Sequence, residues 1–324
     1  MDDLRKIPRP VALLFSVDHA AWIAGVPASH AFHSPTRMAS VVLYAHAVYG
    51  HDLVVVHSDA FILLEALGGE CAYSDAGPPV LIRRPPAESE RPIDPERDGR
   101  IPLLLEAASL VRRHLSGMSA VAVSITGPLT LAAGVVGEAG FLASLGSMTA
   151  QYRTVLACAE ETVANIARAA RREGMLVMLA EPLAGMLSPS LFEAEAAPTL
   201  RRILADAEAI VHICGDCSHL LPLLPAVGAS AFSLDDVDIG AASRTLLDTT
   251  MLMGGVTPFA IREGPPERVR VLAREACATG SGLVPCSGCD LVWDTPRENA
   301  RAFVQGARDA TSNQGEPDRP LATR

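Results

Sequence analysis

Eight short apolar runs, rich in β-branched residues, recur along the chain, and their spacing constrains the fold more than any other feature. Stretches with helical periodicity separate most of the runs, which is the alternation expected of a parallel sheet. The runs show no polar alternation, so both faces of each strand should be buried. The predicted strands span residues 11–15, 53–57, 121–126, 176–180, 209–213, 231–234, 251–254 and 282–285.

Two α/β architectures can bury such strands: a closed barrel and an open, doubly wound sheet. The loop after the first run reads Ser16-Val17-Asp18-His19 and lacks the glycine-rich phosphate fingerprint of nucleotide-binding sheets. A closed barrel also leaves no sheet edge exposed. We therefore predict a single-domain (β/α)8 TIM barrel over residues 1–310 and a disordered polar tail over 311–324. A proline-rich loop over 75–100 is expected to contain a short hairpin near 80–83.

The charge balance argues against one broad class of partner. The formal net charge is −10 and Lys6 is the only lysine, so there is no basic face to neutralise the phosphates of a nucleic acid. The first ten residues lack the apolar centre of a secretory signal, and no apolar run reaches the roughly 18 to 20 residues that span a bilayer. These features predict a cytoplasmic protein that binds neither nucleic acid nor membranes.

Polar residues gather where the predicted strands end. In a barrel the active site forms at the carboxyl ends of the strands, so these positions are the candidates for chemistry. The ends of two strands, the fifth and the eighth, carry the nitrogen and sulfur donors that zinc prefers. The residues at or just after the strand ends are Asp59, Thr126, Glu181, His212, Cys214, Asp235, Asp236, Cys286 and Cys289.

The spacing of histidine and cysteine predicts a zinc site. His212 and Cys214 are two residues apart, so their side chains share one face of an extended strand. Cys286 or Cys289 can complete a site with three protein ligands and one open position, which is the catalytic arrangement of zinc. Two alternatives stay open: a local cluster that includes Cys217, or buried thiols without a metal.

Several segments, taken together, form a pattern that extends from about residue 10 to about residue 310. They are Thr126-Gly-Pro-Leu-Thr130, Glu181-Pro182, His212-Ile-Cys214-Gly-Asp216, Phe232-Ser-Leu-Asp235, Gly254-Gly-Val-Thr-Pro258 and the stretch from Cys289 to Asn299. This pattern resembles the uroporphyrinogen decarboxylase superfamily, and within it most closely the methylcorrinoid:thiol (coenzyme M) methyltransferase branch.

The resemblance implies a zinc-dependent enzyme with a His-x-Cys pair and one distant cysteine as ligands. In that branch the distant cysteine stands six residues before a Thr-Pro pair, which here begins at Thr295. This spacing selects Cys289 and not its neighbour Cys286. The zinc ligands that the resemblance implies are therefore His212, Cys214 and Cys289. The implied reaction moves a methyl group from a methylated corrinoid (methylcobalamin) on a partner protein to a thiol such as coenzyme M, or a related acceptor such as tetrahydrofolate, through a zinc-bound thiolate.

Two carboxylates are predicted to assist the reaction. Asp235 matches an acidic position of the family and is expected to orient a zinc ligand or to contact substrate, although a helix cap is the alternative. Glu181 is expected to line the same pocket or, alternatively, to cap the turn before Pro182. Asp18 and Asp59 are further candidates at strand ends, where aspartates often serve turns. His19, His57 and His219 are interpreted as ordinary residues.

Two other functions are weighed against methyl transfer. The decarboxylases of the superfamily have an arginine-rich amino-terminal segment followed by an essential aspartate, but residues 13–22, which match it here, contain no arginine. Such a chain is poorly equipped to hold many substrate carboxylates. The second alternative is a zinc- or corrinoid-binding protein without turnover. Gly255, where the family usually has Asn or Asp, puts one substrate contact in question.

Overall fold

The computed structural model describes residues 1–86, 91–146, 149–205, 208–278 and 282–312. Within this part of the chain, seven strands form one parallel sheet and two more form an antiparallel hairpin. The hairpin consists of β2 (Glu70–Ala72) and β3 (Val80–Arg83), and the sheet of β1 (Leu53–Val56), β4 (Ala120–Thr126), β5 (Leu176–Ala180), β6 (Ala209–Ile213), β7 (Ala231–Leu234), β8 (Met251–Val256) and β9 (Leu283–Ser287).

Helices follow the strands of the main sheet and cover its outer face. Short 3-10 segments, Pro182–Met186 and Ser218–Val227, and a π turn, Phe192–Ala196, interrupt this pattern. The α-helices are α1 (Asp2–Lys6), α2 (Val17–Ala24), α3 (Ala28–Phe32), α4 (Pro35–Tyr49), α5 (Ile62–Ala66), α6 (Ile101–Leu115), α7 (Pro128–Val136), α8 (Glu138–Ser144), α9 (Ala150–Arg172), α10 (Pro189–Leu191), α11 (Ala197–Ala205), α12 (Ile239–Leu246), α13 (Pro258–Glu263), α14 (Pro266–Cys277) and α15 (Arg297–Ser312).

The segment predicted as the first strand, residues 11–15, closes the sheet into a barrel but is not itself a strand. Ala12 forms a single parallel bridge with Leu53 of β1, and its backbone N–H donates to Pro285 of β9 over 2.9 Å. Pro285 has no N–H to return, and the N–H of Leu14 donates to the side-chain hydroxyl of Ser287 instead of a carbonyl. A regular ladder therefore cannot form, although the segment lies between both edges of the sheet.

Burial alternates along this closing segment as it would along a strand. Ala12 and Leu14 point into the barrel, where they pack in an inner apolar cluster with residues such as Met178 and Ile210. Their neighbours in the segment, including Phe15, belong to the larger cluster between the sheet and the helices. The inner face of the barrel is thus filled with side chains, as the fold requires.

The predicted barrel is confirmed, with limited differences at the element ends. The other seven predicted strands are present, and the hairpin expected near 80–83 pairs with residues 70–72, just before the predicted loop. Helix α15 continues to Ser312, and the rest of the predicted tail lies outside the described residues. Among the residues described, no helix combines the length and apolarity needed to cross a membrane.

Replacement of Phe15 should test how much the closing segment contributes to stability. Its ring is 2% exposed and lies 5.5 Å from the ring of His51, so we expect Phe15→Ala to lower the free energy of unfolding by about 3–5 kcal/mol. Phe259→Ala is the control, because Phe259 is 65% exposed and its removal should cost less than about 1 kcal/mol. Urea unfolding measures both, and equal midpoints would contradict this account of closure.

Candidate metal centre

Three side chains from distant parts of the chain converge at the carboxyl ends of the strands. His212 lies in β6, Cys214 follows that strand directly, and Cys289 lies in the loop after β9. The Nε2 atom of His212 is 3.0 Å from Sγ of Cys214 and 3.4 Å from Sγ of Cys289, and the two sulfur atoms are 2.9 Å apart. This is the only group of three or more potential metal ligands within the described ranges.

A hydrogen bond on the far side of the imidazole fixes its orientation. Nδ1 of His212 lies 3.1 Å from the hydroxyl of Ser233, which sits at the paired position of the neighbouring strand β7. This contact leaves Nε2 facing the two sulfurs, the arrangement usual for histidines that bind metals. Ser233 was not singled out from the sequence, although it lies inside one of the segments that carry the family resemblance.

The donor set fits a zinc ion. Two atoms bonded to one zinc at about 2.0–2.3 Å can be no more than about 4.6 Å apart, and all three measured separations are below that limit. The hydrogen bond with Cys214, together with burial, raises the pKa of Cys289 above its ordinary value. A divalent cation reverses this effect because it stabilises the thiolate directly.

Two other cysteines, close to the candidate ligands in sequence, have their side chains in the apolar clusters of the barrel. Cys286 points into the inner apolar cluster of the barrel and is fully buried, which raises the pKa of its thiol. Cys217 is also buried, in the outer core, and burial raises its pKa to about 12. Neither belongs to the ligand group, so the geometry favours Cys289 over Cys286 and over a local cluster that includes Cys217.

Asp235 links the two loops that carry the cysteines. Its Oδ2 atom accepts a hydrogen bond of 3.2 Å from the N–H of Gly215, the residue after Cys214. On the other side Gly288, the residue before Cys289, packs so closely that a Cβ there would lie 2.8 Å from Cα of Asp235. The Oδ1 atom of Asp235 is buried without a hydrogen-bond partner. The structure therefore places this predicted residue beside the candidate ligands.

Glu181 is held at the amino end of helix α7. It is fully buried, and its carboxylate accepts hydrogen bonds from the N–H groups of Leu129 and Thr130, at 3.0 and 2.8 Å, and from the Thr130 hydroxyl. Burial raises the pKa of Glu181 to about 7, against the effect of these hydrogen bonds. The carboxylate thus caps a helix start, which is close to the alternative considered from the sequence, and a catalytic role for it stays a prediction.

Two residues that the sequence did not connect, His57 and Asp290, form an ion pair beside the ligand group. His57 Nδ1 and Asp290 Oδ2 are 2.6 Å apart, and Asp290 directly follows Cys289. Burial opposes both charges, but Asp290 raises the pKa of His57 to about 9, and His57 lowers the pKa of Asp290. The two positions are 233 residues apart, so no local pattern could have revealed the pair.

The other strand-end aspartates have different surroundings. Asp59 forms a buried ion pair of 2.9 Å with Arg100, which also binds Glu65 over 2.7 Å. Asp18 is almost fully buried, accepts a hydrogen bond from the Ser16 hydroxyl, and has a raised pKa because of its burial. Asp59 is therefore neutralised by an internal partner, whereas the charges of His57 and Asp290 shift the pKa of Asp18 in opposite directions.

Comparison with known proteins defines the family. The family model named Uroporphyrinogen decarboxylase (URO-D) matches residues 7–310. The chain belongs to the URO-D family. One relative, "Methylated-thiol--coenzyme M methyltransferase" of Methanosarcina mazei, is 26% identical over 305 residues, covering 91% of this chain and 81% of that protein. "Methylcobamide:CoM methyltransferase MtaA" of Methanosarcina barkeri is 25% identical, with 90% and 87% covered.

The URO-D relatives also include decarboxylases. "Uroporphyrinogen decarboxylase" of Desulfotalea psychrophila is 25% identical over 297 residues, with 85% of each chain covered. A solved structure described as a methyltransferase from Methanosarcina mazei superimposes with a TM-score of 0.86 at 24% identity and covers 95% of this chain and 96% of its own. This likeness confirms the single-domain TIM-barrel fold of the URO-D family.

The His57–Asp290 pair should make stability depend on pH. Because the pKa of His57 is raised from 6.5 to about 9 in the folded protein, its contribution is complete below about pH 6.5 and is lost as the pH rises through about 9. The difference in Tm between the wild type and His57→Gln should therefore be largest near pH 6 and shrink towards pH 10. Thermal unfolding across this range tests it, and a constant difference would contradict the assignment.

Proposed function

We propose that this URO-D family member is a zinc-dependent methyltransferase that moves a methyl group between a methylated corrinoid protein and a thiol such as coenzyme M, or a related acceptor such as tetrahydrofolate. The observation that carries the proposal is the convergence of His212, Cys214 and Cys289 within 4.8 Å of one another. Relatives named as methylcobamide:CoM methyltransferases support the same class of reaction. We expect the protein to act in the cytoplasm, where its cysteines stay reduced.

The proposed zinc ligands and the residues next to them have different roles. His212, Cys214 and Cys289 would hold the zinc, and three protein ligands leave one position for substrate. When bound, zinc acts as a Lewis acid that lowers the pKa of a thiol and favours its nucleophilic form near neutral pH. Ser233 fixes the orientation of the imidazole through its Nδ1 atom. Asp235 contacts the loops of both cysteines and so sets the separation between them.

The methyl transfer step does not require a carboxylate as a general base. A carbon–sulfur bond forms while the carbon–cobalt bond of the corrinoid breaks, and the electron pair of the broken bond stays on cobalt. A thiol acceptor would release its proton to solvent before this step, so no general base has to act during it. We accordingly assign Asp235 and Glu181 as positioning residues, since Asp235 bonds Gly215 and Glu181 bonds the start of α7.

A uroporphyrinogen decarboxylase is the second candidate, because relatives with that name match at similar identity. Its substrate requires cations that are free to bind carboxylates. Arg100, the buried arginine near the barrel mouth, is already paired with Asp59 and Glu65. This pairing favours the methyltransferase. A zinc- or corrinoid-binding protein without turnover is the third possibility, and it differs from the first only in activity.

Metal analysis of cysteine variants tests the ligand assignment. We expect the purified wild type to contain about one zinc per chain and Cys289→Ser to lose most of it, because a tetrahedral site needs its thiolate ligands. Cys71→Ser and Cys286→Ala are the controls and should keep the metal, since neither residue belongs to the ligand group. Full zinc content in Cys289→Ser would refute the assignment.

The same preparations decide between the functions. Methylcobalamin is incubated with a panel of thiols and tetrahydrofolate, and uroporphyrinogen is tested separately. Methyl transfer by the wild type and not by Cys289→Ser supports the proposal. Coproporphyrinogen formation would identify a decarboxylase instead, and a zinc-loaded wild type that transfers no methyl group would leave only the binding function.

Exposed apolar side chains at the same end of the barrel suit a protein partner. Met186 follows β5 and Phe259 follows β8, and each is 65% exposed. Both therefore lie on segments that leave the carboxyl ends of the strands, the side on which the candidate ligands are found. Large apolar residues exposed near a site often contribute to a protein interface. They support the expectation that the methyl donor is carried by a corrinoid protein.

Kinetics with protein-bound and free corrinoid can separate docking from chemistry. We expect Met186→Ala and Phe259→Ala to raise the KM for the methylated corrinoid protein about fivefold or more, while the rate with free methylcobalamin changes less than twofold. Met118→Ala is the matched control, because Met118 is 68% exposed but lies before β4, at the opposite end of the barrel. Equal effects of Met186→Ala and Met118→Ala would contradict the docking role.

A further inference from the structure

The two sulfur donors of the candidate metal centre lie close enough to react with each other. Sγ of Cys214 and Sγ of Cys289 are 2.9 Å apart, and both residues are free, half-buried cysteines. A disulfide bond is about 2.05 Å long, so the two sulfurs need to approach each other by less than about 1 Å to form one. The pair that would hold zinc is therefore also placed to form a disulfide.

Tertiary packing keeps this pair of cysteines together. Asp235 accepts a hydrogen bond of 3.2 Å from Gly215, next to Cys214, and it packs directly against Gly288, next to Cys289. The two loops therefore do not have to find each other by movement of the chain. Groups held in contact in this way react far faster than the same groups free in solution.

The other cysteines are less suited to form this bond. Cys217 and Cys286 are buried in the apolar clusters of the barrel, and an oxidant dissolved in water reaches such sulfurs poorly. Cys71 lies in β2 of the hairpin and Cys277 at the end of α14, and neither belongs to the ligand group. Oxidation that forms a disulfide within one chain should therefore select the two candidate ligands.

We propose that Cys214 and Cys289 form a reversible disulfide bond, and that this bond and a bound zinc ion exclude each other. The inference rests on the zinc site of the proposed function and adds control of that site by oxidants. In the disulfide neither sulfur is a thiolate, so His212 alone of the three residues remains as a ligand. One imidazole is too few for a stable zinc site. Oxidation therefore prevents zinc uptake, and reduction restores it.

A peroxide is the class of oxidant that the reaction needs. The hydrogen bond with Cys214 and burial raise the pKa of Cys289, so we assign Cys214 as the thiol that meets the oxidant. Its sulfur attacks one peroxide oxygen, the oxygen–oxygen bond breaks, and a sulfenic acid and water form. The Cys289 sulfur then attacks the sulfenic sulfur, and the departing hydroxide leaves with the Cys289 proton as a second water. A dithiol reverses the reaction by thiol–disulfide exchange.

Peptide mapping of the full chain tests for the bond. Zinc is removed with a chelator, hydrogen peroxide is added, and a digest without reductant is examined by mass spectrometry. We expect a linked peptide that contains Cys214 and Cys289, the loss of two of the seven thiols, and their full recovery with dithiothreitol. In the zinc-loaded protein the bond should form at least about tenfold more slowly, because only the small zinc-free fraction reacts.

Zinc uptake and two variants complete the test. The oxidised wild type should take up less than about a tenth of the zinc that the reduced protein binds, and dithiothreitol should restore the rest. Cys286→Ala is the control and should show the same linked peptide and the same reversible loss of zinc, since Cys286 packs in the inner cluster. Cys214→Ser should form no linked peptide.

The outcomes separate this inference from the proposed function. A zinc-free wild type that keeps all its thiols, or that links Cys289 to Cys286, would overturn the inference and leave the zinc site and methyl transfer intact. A protein that carries the predicted disulfide and still binds zinc fully would refute both. So would a fully reduced wild type that takes up no zinc. The linked peptide, together with a loss of zinc that dithiothreitol reverses, would support the inference.

Discussion

Closure of the barrel is the constraint on which the candidate metal centre depends, because its donors come from strands that are not neighbours. Two strands separate β6 from β9, and in a flat sheet three strand spacings amount to about 14 Å. The His212 nitrogen and the Cys289 sulfur nevertheless lie 3.4 Å apart. The curvature of the sheet and the inward loop after β9 remove this gap. The closing segment, bonded to both β1 and β9, keeps the sheet in that shape.

Once the barrel is closed, short-range packing sets the spacing of the donors. Asp235 lies between the loops of Cys214 and Cys289, with a hydrogen bond to one loop and direct backbone contact with the other. Only a glycine at position 288 permits this approach, because any side chain would meet the backbone of Asp235. The buried, unpaired Oδ1 atom of Asp235 disfavours folding. Such a cost is typical of a place where position matters more than stability.

The sequence was sufficient for the features that local patterns encode. Apolar runs located seven of the eight barrel positions as strands, and the two-residue spacing placed His212 and Cys214 on one face. The first run failed as a strand because Pro285 and Ser287, far along the chain, break its ladder. The choice of Cys289 over Cys286 came from the family resemblance. The His57–Asp290 pair and the helix cap by Glu181 depend on tertiary contacts, so periodicity and spacing carried no signal for them.

The charged side chains near the barrel mouth are paired within the protein, and this pairing limits the substrates that the site can hold. Near the mouth, Arg100 is neutralised by Asp59 and Glu65, and His57 by Asp290. A substrate with several carboxylates would have to displace these internal partners, and each displaced carboxylate would be left buried without a counter-charge. A soft, nearly neutral ligand would not have to displace these internal partners. It could instead bind where the imidazole and sulfur donors of the candidate metal centre converge. The family includes proteins named as decarboxylases and as methyltransferases, and the internal pairing of charges in this chain argues against a substrate with many carboxylates.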